Sequence, residues 1–351
     1  MKRIRFITGI PANVLRGSGN YVGTQTLAKS LRKLGAQVDF VTPQFHLPFY
    51  TAERYLFNQT LRFRTLEPCD TIVGFDLDGY AVAGRSPVPH FAHIKGVLAD
   101  AVPFERGFTR ATLGLQARWE ALHAQRADRV VTISQYCASR IRELYGVRKP
   151  ISVVPESIDL ALWRELFRQN PARRREGKFT VLSVCRFYPR KRVDVLLEAA
   201  SRLRESIPDL EVRIVGGGPD AAKLRELWRA KGLEACVKWV GDASRSELAR
   251  EYNRADVFCH PSEQEGFGIV FLEAMAAGRP IIAADCSAVP EVVRHGIRVE
   301  PGNAGALAEG IERLHRNPEL RESLGHLGAQ HVEQFDSPRV ARLFLAELEG
   351  S

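Results

Sequence analysis

The chain predicts an α/β fold built from two doubly wound domains, and three observations carry that reading. Short apolar runs alternate with amphipathic helical patterns, the signature of a parallel sheet with helices on both faces. The alternation stops in a polar stretch at 168–178 and then starts again. At 351 residues the chain exceeds one small core and suffices for two.

In order, residues 4–8 read as the first strand and 23–34 as an amphipathic helix closed by Gly35. Residues 38–41 follow as a strand ended by Pro43, and then come strands at 71–75, 90–94, 130–133 and 151–154. These elements make a first domain over 1–170. After the linker, 180–184 is a strand, 193–205 a helix, 211–215 a strand and 220–231 a helix. Strands at 237–240, 257–260 and 280–284 complete a second domain over 178–336. In such sheets ligands bind beyond the carboxyl ends of the strands, so two domains facing across a cleft would hold a ligand between them.

Composition narrows the function classes. No apolar run is long enough to cross a bilayer. The start, Met1-Lys2-Arg3-Ile4-Arg5-Phe6-Ile7, is basic and then apolar like a signal peptide, but Gly9 and Pro11 cut the run short. The six cysteines are scattered without a C-x-x-C pair, which fits a reducing, cytoplasmic compartment and argues against zinc or disulfides. The net charge of +9 is uneven. Residues 1–150 carry 21 Lys and Arg against 11 Asp and Glu, while 151–351 carry 29 against 30. A localised positive field suits an anionic partner, such as a lipid surface or a phosphorylated acceptor; it also suits a merely soluble surface.

The chemistry concentrates in Glu265-Gly266-Phe267-Gly268-Ile269-Val270-Phe271-Leu272-Glu273. A carboxylate, a glycine turn and a helix N-terminus carrying a second carboxylate suit a ligand with both phosphate and hydroxyls. Helix N–H groups attract phosphate, glycine admits close backbone approach, and carboxylates accept hydroxyl protons. Arg186 and Lys191 follow the first strand of the second domain, where cations bind phosphate. Taken alone they also fit a solvated basic loop.

Together these residues resemble retaining glycosyltransferase family 4, whose Glu-x7-Glu motif is similar to Glu265–Glu273. The resemblance implies a GT-B fold, with the last helix, 337–351, returning to the first domain, and hexosyl transfer from a nucleotide-diphosphate sugar to an acceptor hydroxyl, without a metal or other cofactor. It implies that Arg186 and Lys191 bind the donor diphosphate. Cys185 and Arg192 stand where the family has glycines. It implies that Glu265 and the backbone of Gly266, Phe267, Gly268 and Ile269 hold the donor sugar. Glu273 would hold the ribose, and Val240, in Trp239-Val240-Gly241, the base. Gly216-Gly217-Gly218-Pro219 resembles the family's Gly-x-Gly-Pro, though alone it is a turn. In the first domain, Gly19 of Gly17-Ser18-Gly19-Asn20 resembles the family's glycine-rich loop near the donor phosphate. His93 falls where members often carry a histidine near the reacting sugar; a lone strand-end histidine is also a common structural residue. The products implied are glycans, lipopolysaccharide, exopolysaccharide or glycolipids, with an acceptor that is lipid-linked or anionic.

Rival readings come from other features. Gly17-x-Gly19-x-x-x-Gly23 hints at a nucleotide-dependent oxidoreductase, with spacing wrong for the dinucleotide fingerprint. The basic first domain fits a non-catalytic binder of nucleic acid or another anionic polymer, or of membrane, which leaves Glu265–Glu273 unexplained. Asp76-Leu77-Asp78 has the D-x-D form of a manganese site but reads as a solvated strand-end turn or an acceptor contact, so no metal is assigned. Two stretches mix aromatics with arginines, 45–64 and 104–119. Either the aromatics are core and the arginines solvated, the reading the pattern favours, or the segments lie on an anionic membrane face.

Overall fold

The structure, a computed structural model, describes residues 2–9, 19–64, 67–172 and 177–350. The chain divides into two compact units: Met1–Ser157 with Ser337–Ser351, and Ile158–Asp336.

The first unit is built on strands β1 (Arg3–Ile7), β2 (Gln37–Val41), β3 (Thr71–Phe75), β4 (His90–Ile94), β5 (Arg129–Thr132) and β6 (Ile151–Val153). They form one parallel sheet in the order β2-β1-β3-β4-β5-β6. β3 and β4 are buried at every position, because a parallel sheet is covered on both faces. The first helix runs Gly19–Lys33, four residues earlier than expected. It buries Leu27, Ala28 and Leu31 at helical spacing. The terminal helix Ser337–Glu349 lies on it and inserts Val340, Ala341, Phe344 and Leu348 into the same core.

The second unit carries β7 (Phe179–Val184), β8 (Leu210–Val215), β9 (Val237–Gly241), β10 (Val257–His260), β11 (Ile281–Ala284) and β12 (Ile297–Val299). All are parallel, in the order β12-β11-β10-β7-β8-β9. β12 is not anticipated by the sequence pattern, since it is three residues long and only partly buried. Strand order reverses direction between β7 and β10, and the loops leaving those two strands open the crevice where doubly wound sheets bind ligands.

The domain boundary differs from the expected 170. The helix Leu160–Gln169 belongs to the second unit, where Trp163 and Phe167 set their rings edge-on to Tyr252. Asn253 ties down its end by donating to the Phe167 and Asn170 carbonyls. Arg168 and Gln169, read as linker, are therefore helical, and 173–176 of that stretch lie outside the described residues.

The two mixed aromatic–arginine stretches also differ from the favoured reading. In the helix Tyr50–Thr60, Arg54 is buried with Phe57. Phe49, Phe63 and Phe108 are instead exposed. Arg54 goes inside because Asp78 is there, 2.6 Å away and fully buried. Asp78 also accepts from Asn58 and the Gly9 amide. Asp76, likewise buried, accepts from the Lys95 amide and the Asn20 side chain. The D-x-D pair is thus a buried structural pair, not the solvated turn expected.

Candidate active site

Two loops of the second unit build the site. The first leaves β7 as Cys185–Tyr188 and closes in a single turn, Pro189–Lys191. Its seat is glycine-dependent. A Cβ on Gly216 would lie 2.0 Å from the Cys185 carbonyl oxygen, and one on Gly218 would lie 2.6 Å from the Phe187 amide nitrogen. The Gly216–Gly218 run is therefore a bed for this loop as well as a turn. The turn ends at Arg192, in left-handed conformation with φ 49°. That is the conformation a glycine would supply without strain. Here the side chain holds it: Arg192 pairs with Asp194 and with Glu263.

The second loop leaves β10 at His260 and reaches the helix Ile269–Ala276. Ser262 is fully buried and donates to the carbonyls of Arg190 and Gln264, joining the two loops. Gly268 takes φ 90° at the helix start, with Phe271 folded against it.

Where the loops meet, Glu265 is buried and its Oε1 takes two donors: Lys191 Nζ at 2.5 Å and His260 Nε2 at 2.6 Å. Among the described residues no donor reaches its Oε2. Burial alone would raise the Glu265 pKa; the Lys191 charge and the His260 hydrogen bond reverse this and hold it well below the usual carboxylate range. Burial keeps His260 neutral, so the proton on Nε2 goes to Glu265. Its Nδ1 has no partner among the described residues. The site therefore presents a carboxylate fixed at one oxygen and open at the other.

The other expected residues are placed as follows. Arg186 lies on the first loop, 3.3 Å from Asp242, in an ion pair with both side chains well exposed. Such a pair contributes little and leaves the guanidinium free to turn to an anion. Glu273, on the Ile269–Ala276 helix, is buried and bonds Tyr252 at 2.8 Å. Burial pushes its pKa up to about 7, against the Tyr252 hydrogen bond. Val240 is half-buried in β9 beside Trp239, whose ring stands edge-on to Phe187 at 5.5 Å. Phe267 is buried against Phe335, while Gly266 and Ile269 are half-buried at the start of the helix. His260 and Tyr252 escaped sequence reasoning. His260 does carry a signal, being a polar residue that ends an apolar strand. Tyr252 carries none, because its pattern is that of any core aromatic.

In the first unit, Gly19 opens the first helix and is exposed, while Gly17 and Ser18 lie outside the described residues. His93 departs from expectation. It is buried between Phe75 and Phe344, with ring centroids 5.2 Å from each, and neither nitrogen has a partner among the described residues. The terminal helix covers it, so it is a core histidine held neutral by burial. Lys95, two residues on, carries the charge at this strand end, paired with Glu156 at 2.9 Å. Gly23 is glycine for that pair's sake: a Cβ there would lie 2.6 Å from Lys95 Nζ. The glycine pattern that suggested a dinucleotide site is thus explained at Gly23 by local packing.

Residues 165–331 match the family described as Glycosyl transferases group 1, and residues 69–162 match Glycosyltransferase Family 4. Together the two matches support a glycosyltransferase of the family 4 type. A relative over most of its length is an uncharacterized glycosyltransferase of Haemophilus influenzae, 26% identical over 343 residues, covering 91% of this chain and 92% of that protein. A GDP-mannose-dependent alpha-(1-6)-phosphatidylinositol monomannoside mannosyltransferase of Mycobacterium tuberculosis is 30% identical over 249 residues. That match covers 63% of this chain and 64% of the mycobacterial protein, just under two thirds of its length. The structure superposes on sucrose-phosphate synthase from Thermosynechococcus elongatus with a TM-score of 0.84 at 22% identity, covering 100% of both chains. The fold of the chain is GT-B.

Proposed function

We propose that the chain transfers a hexosyl group, with retention of configuration, from a nucleotide-diphosphate sugar to an acceptor hydroxyl in the cytoplasm, in glycan or glycolipid synthesis. The observation that carries this is Glu265, anchored through Oε1 by Lys191 and His260 and open at Oε2, at the crevice between β7 and β10. An ionised carboxylate with one free oxygen accepts hydrogen bonds from sugar hydroxyls. It also stabilises positive charge growing at the anomeric carbon. It is held too acidic to act as a general base at neutral pH.

Leaving-group charge falls to Arg186, Lys191 and the amides at the start of the Ile269–Ala276 helix. These cations do the work a divalent ion does elsewhere, and the proposed reaction is metal-independent. The acceptor attacks from the face the leaving group vacates, and its proton passes to the departing phosphate. Glu273 accepts from the ribose hydroxyls, and the Val240 backbone meets the base. The names of relatives support the substrate class: one is GDP-mannose-dependent and acts on a phosphatidylinositol mannoside. A lipid-linked acceptor follows by analogy.

The test is a thermal-shift screen with UDP, GDP, ADP and dTDP in EDTA, repeated on Lys191→Ala. The expected result is stabilisation by one diphosphate that Lys191→Ala abolishes. The anomeric configuration of the product, read by NMR, then decides retention. Stabilisation that requires added metal, or an inverted product, would overturn the corresponding part of the proposal.

A further inference from the structure

A cavity of about 300 Å³ opens on the flank of the first sheet, and its lining belongs wholly to the first unit. Two lining residues, Arg5 and Asp39, are register partners at the middle of β1 and of the edge strand β2, so their side chains leave the same face. Two residues further on, Ile7 and Val41 are covered on that face by Phe57 and Leu61. Arg5 and Asp39 face the cavity instead. Arg5 is only 4% exposed, and its one partner among the described residues is the Glu67 carbonyl. Most of its donors are therefore unused. Buried charges in folded proteins are paired, so this guanidinium calls for an anion. Arg64 adds a second cation to the wall and Asp39 a carboxylate, and neither side chain has an ion pair or hydrogen bond among the described residues. Glu67 is already taken by Arg3 at 3.7 Å. The cavity thus carries net positive charge, with the polar side chains of Thr42 and Gln44 beside it. Phe40 also lines it, but its ring turns to the other face of the sheet, edge-on to Phe6 at 5.5 Å. The lining therefore offers no aromatic surface to a nucleotide base.

We propose that this cavity is an accessory site for a small phosphate monoester of a polyol, with the phosphate on Arg5 and Arg64 and the hydroxyls on Asp39, Thr42 and Gln44. Arginine binds phosphate oxygens with its planar fork, and a carboxylate accepts from hydroxyls. A bare ion would leave Asp39 and most of the volume unused. The position of Arg5 and Asp39 puts the ligand on the flank of a sheet, whereas the crevice at β7 and β10 lies in the other unit. The inference rests on this cavity and not on the donor site.

Isothermal titration in a phosphate-free buffer tests it, with glycerol 3-phosphate, inorganic phosphate and glycerol as probes. Glycerol 3-phosphate is expected to bind, inorganic phosphate to bind about tenfold more weakly, and glycerol not at all. Arg64→Ala should weaken glycerol 3-phosphate by about tenfold or more, and Arg5→Met should abolish its binding. Asp39→Ala should erase the preference for the ester over the inorganic ion. Arg64 and Asp39 are only half-buried, so these two variants should keep the parent's unfolding temperature and read the site whatever Arg5→Met does to the core. Lys191→Ala should bind glycerol 3-phosphate as the parent does. No binding of glycerol 3-phosphate would overturn the proposal. So would equal affinity for inorganic phosphate, or binding that Lys191→Ala removes and Arg64→Ala spares. A protein that binds the ester through Arg64 yet ignores every nucleoside diphosphate would support this site and count against the donor site alone.

Discussion

Glu273 has its pKa pushed up to about 7 from the usual 4.5, which makes it a reporter on the site. A carboxyl whose pKa is raised on folding contributes stability that is complete below about 4.5 and is lost as pH climbs through about 7. Glu273→Gln keeps an oxygen for the Tyr252 hydroxyl and has no charge to bury. Its unfolding free energy should therefore exceed the parent's above pH 7 by on the order of 3 kcal/mol, and match it near pH 4. Chemical denaturation across that range checks this; parallel curves would mean the carboxylate is well solvated. Residue identities were legible wherever the chemistry is local. Glu265, Lys191 and the glycines between the two glutamates could be named because their spacing along the chain is the motif. Partners brought from afar could not be. His260 is a strand residue until its ring is seen 2.6 Å from Glu265. Asp78 reads as solvated because the Arg54 that buries it lies 24 positions away in another element.

The loop after β7 shows how one element dictates the residues of another. Gly216, at φ 116°, underlies the Cys185 carbonyl, so Gly216→Ala meets both an unfavourable backbone conformation and a clash with backbone that cannot swing aside. The variant should lose roughly 2–4 kcal/mol and weaken nucleotide binding more than the fold, because the loop carries Arg186 and Lys191. Calorimetry with and without nucleotide separates the two effects, and unchanged affinity would detach the glycine bed from the site. Arg192 is the opposite case. The sequence put an arginine where the family pattern has a glycine, and the loop still closes because Asp194 and Glu263 hold that arginine in the left-handed region. Periodicity showed most strands within a residue or so, since continuous apolar runs are what fully covered parallel strands require. The short β12 and the four extra residues of the first helix were missed. Neither leaves a strong apolar period.

Across the molecule, the terminal helix is part of the first core. Phe344 is fully buried there beside His93. Phe344→Ala should destabilise the first unit by about 3–5 kcal/mol while the second keeps its nucleotide response. Hydrogen exchange resolved by segment would show protection falling in β1, β3 and β4 but not in β7 or β8; a uniform fall would mean one cooperative unit. The existence of two units could be read from the restart of the strand–helix pattern after 178. The true border, at 157 and 158, could not, because the helix Leu160–Gln169 follows the first unit in sequence but finds its aromatic partner, Tyr252, in the second.

The chain enters the second unit at Ile158 and leaves it at Asp336, and these two residues form a parallel bridge, with the Ile158 amide on the Phe335 carbonyl at 3.0 Å. In genetic terms residues 158–336 are a cassette whose two splice points coincide in space. A reading frame that exchanges this segment joins it at 157/158 and 336/337, two points that the Ile158–Asp336 bridge holds together. Replacement of the whole second unit by recombination is open to such a gene in a way it is not to one whose junctions lie far apart.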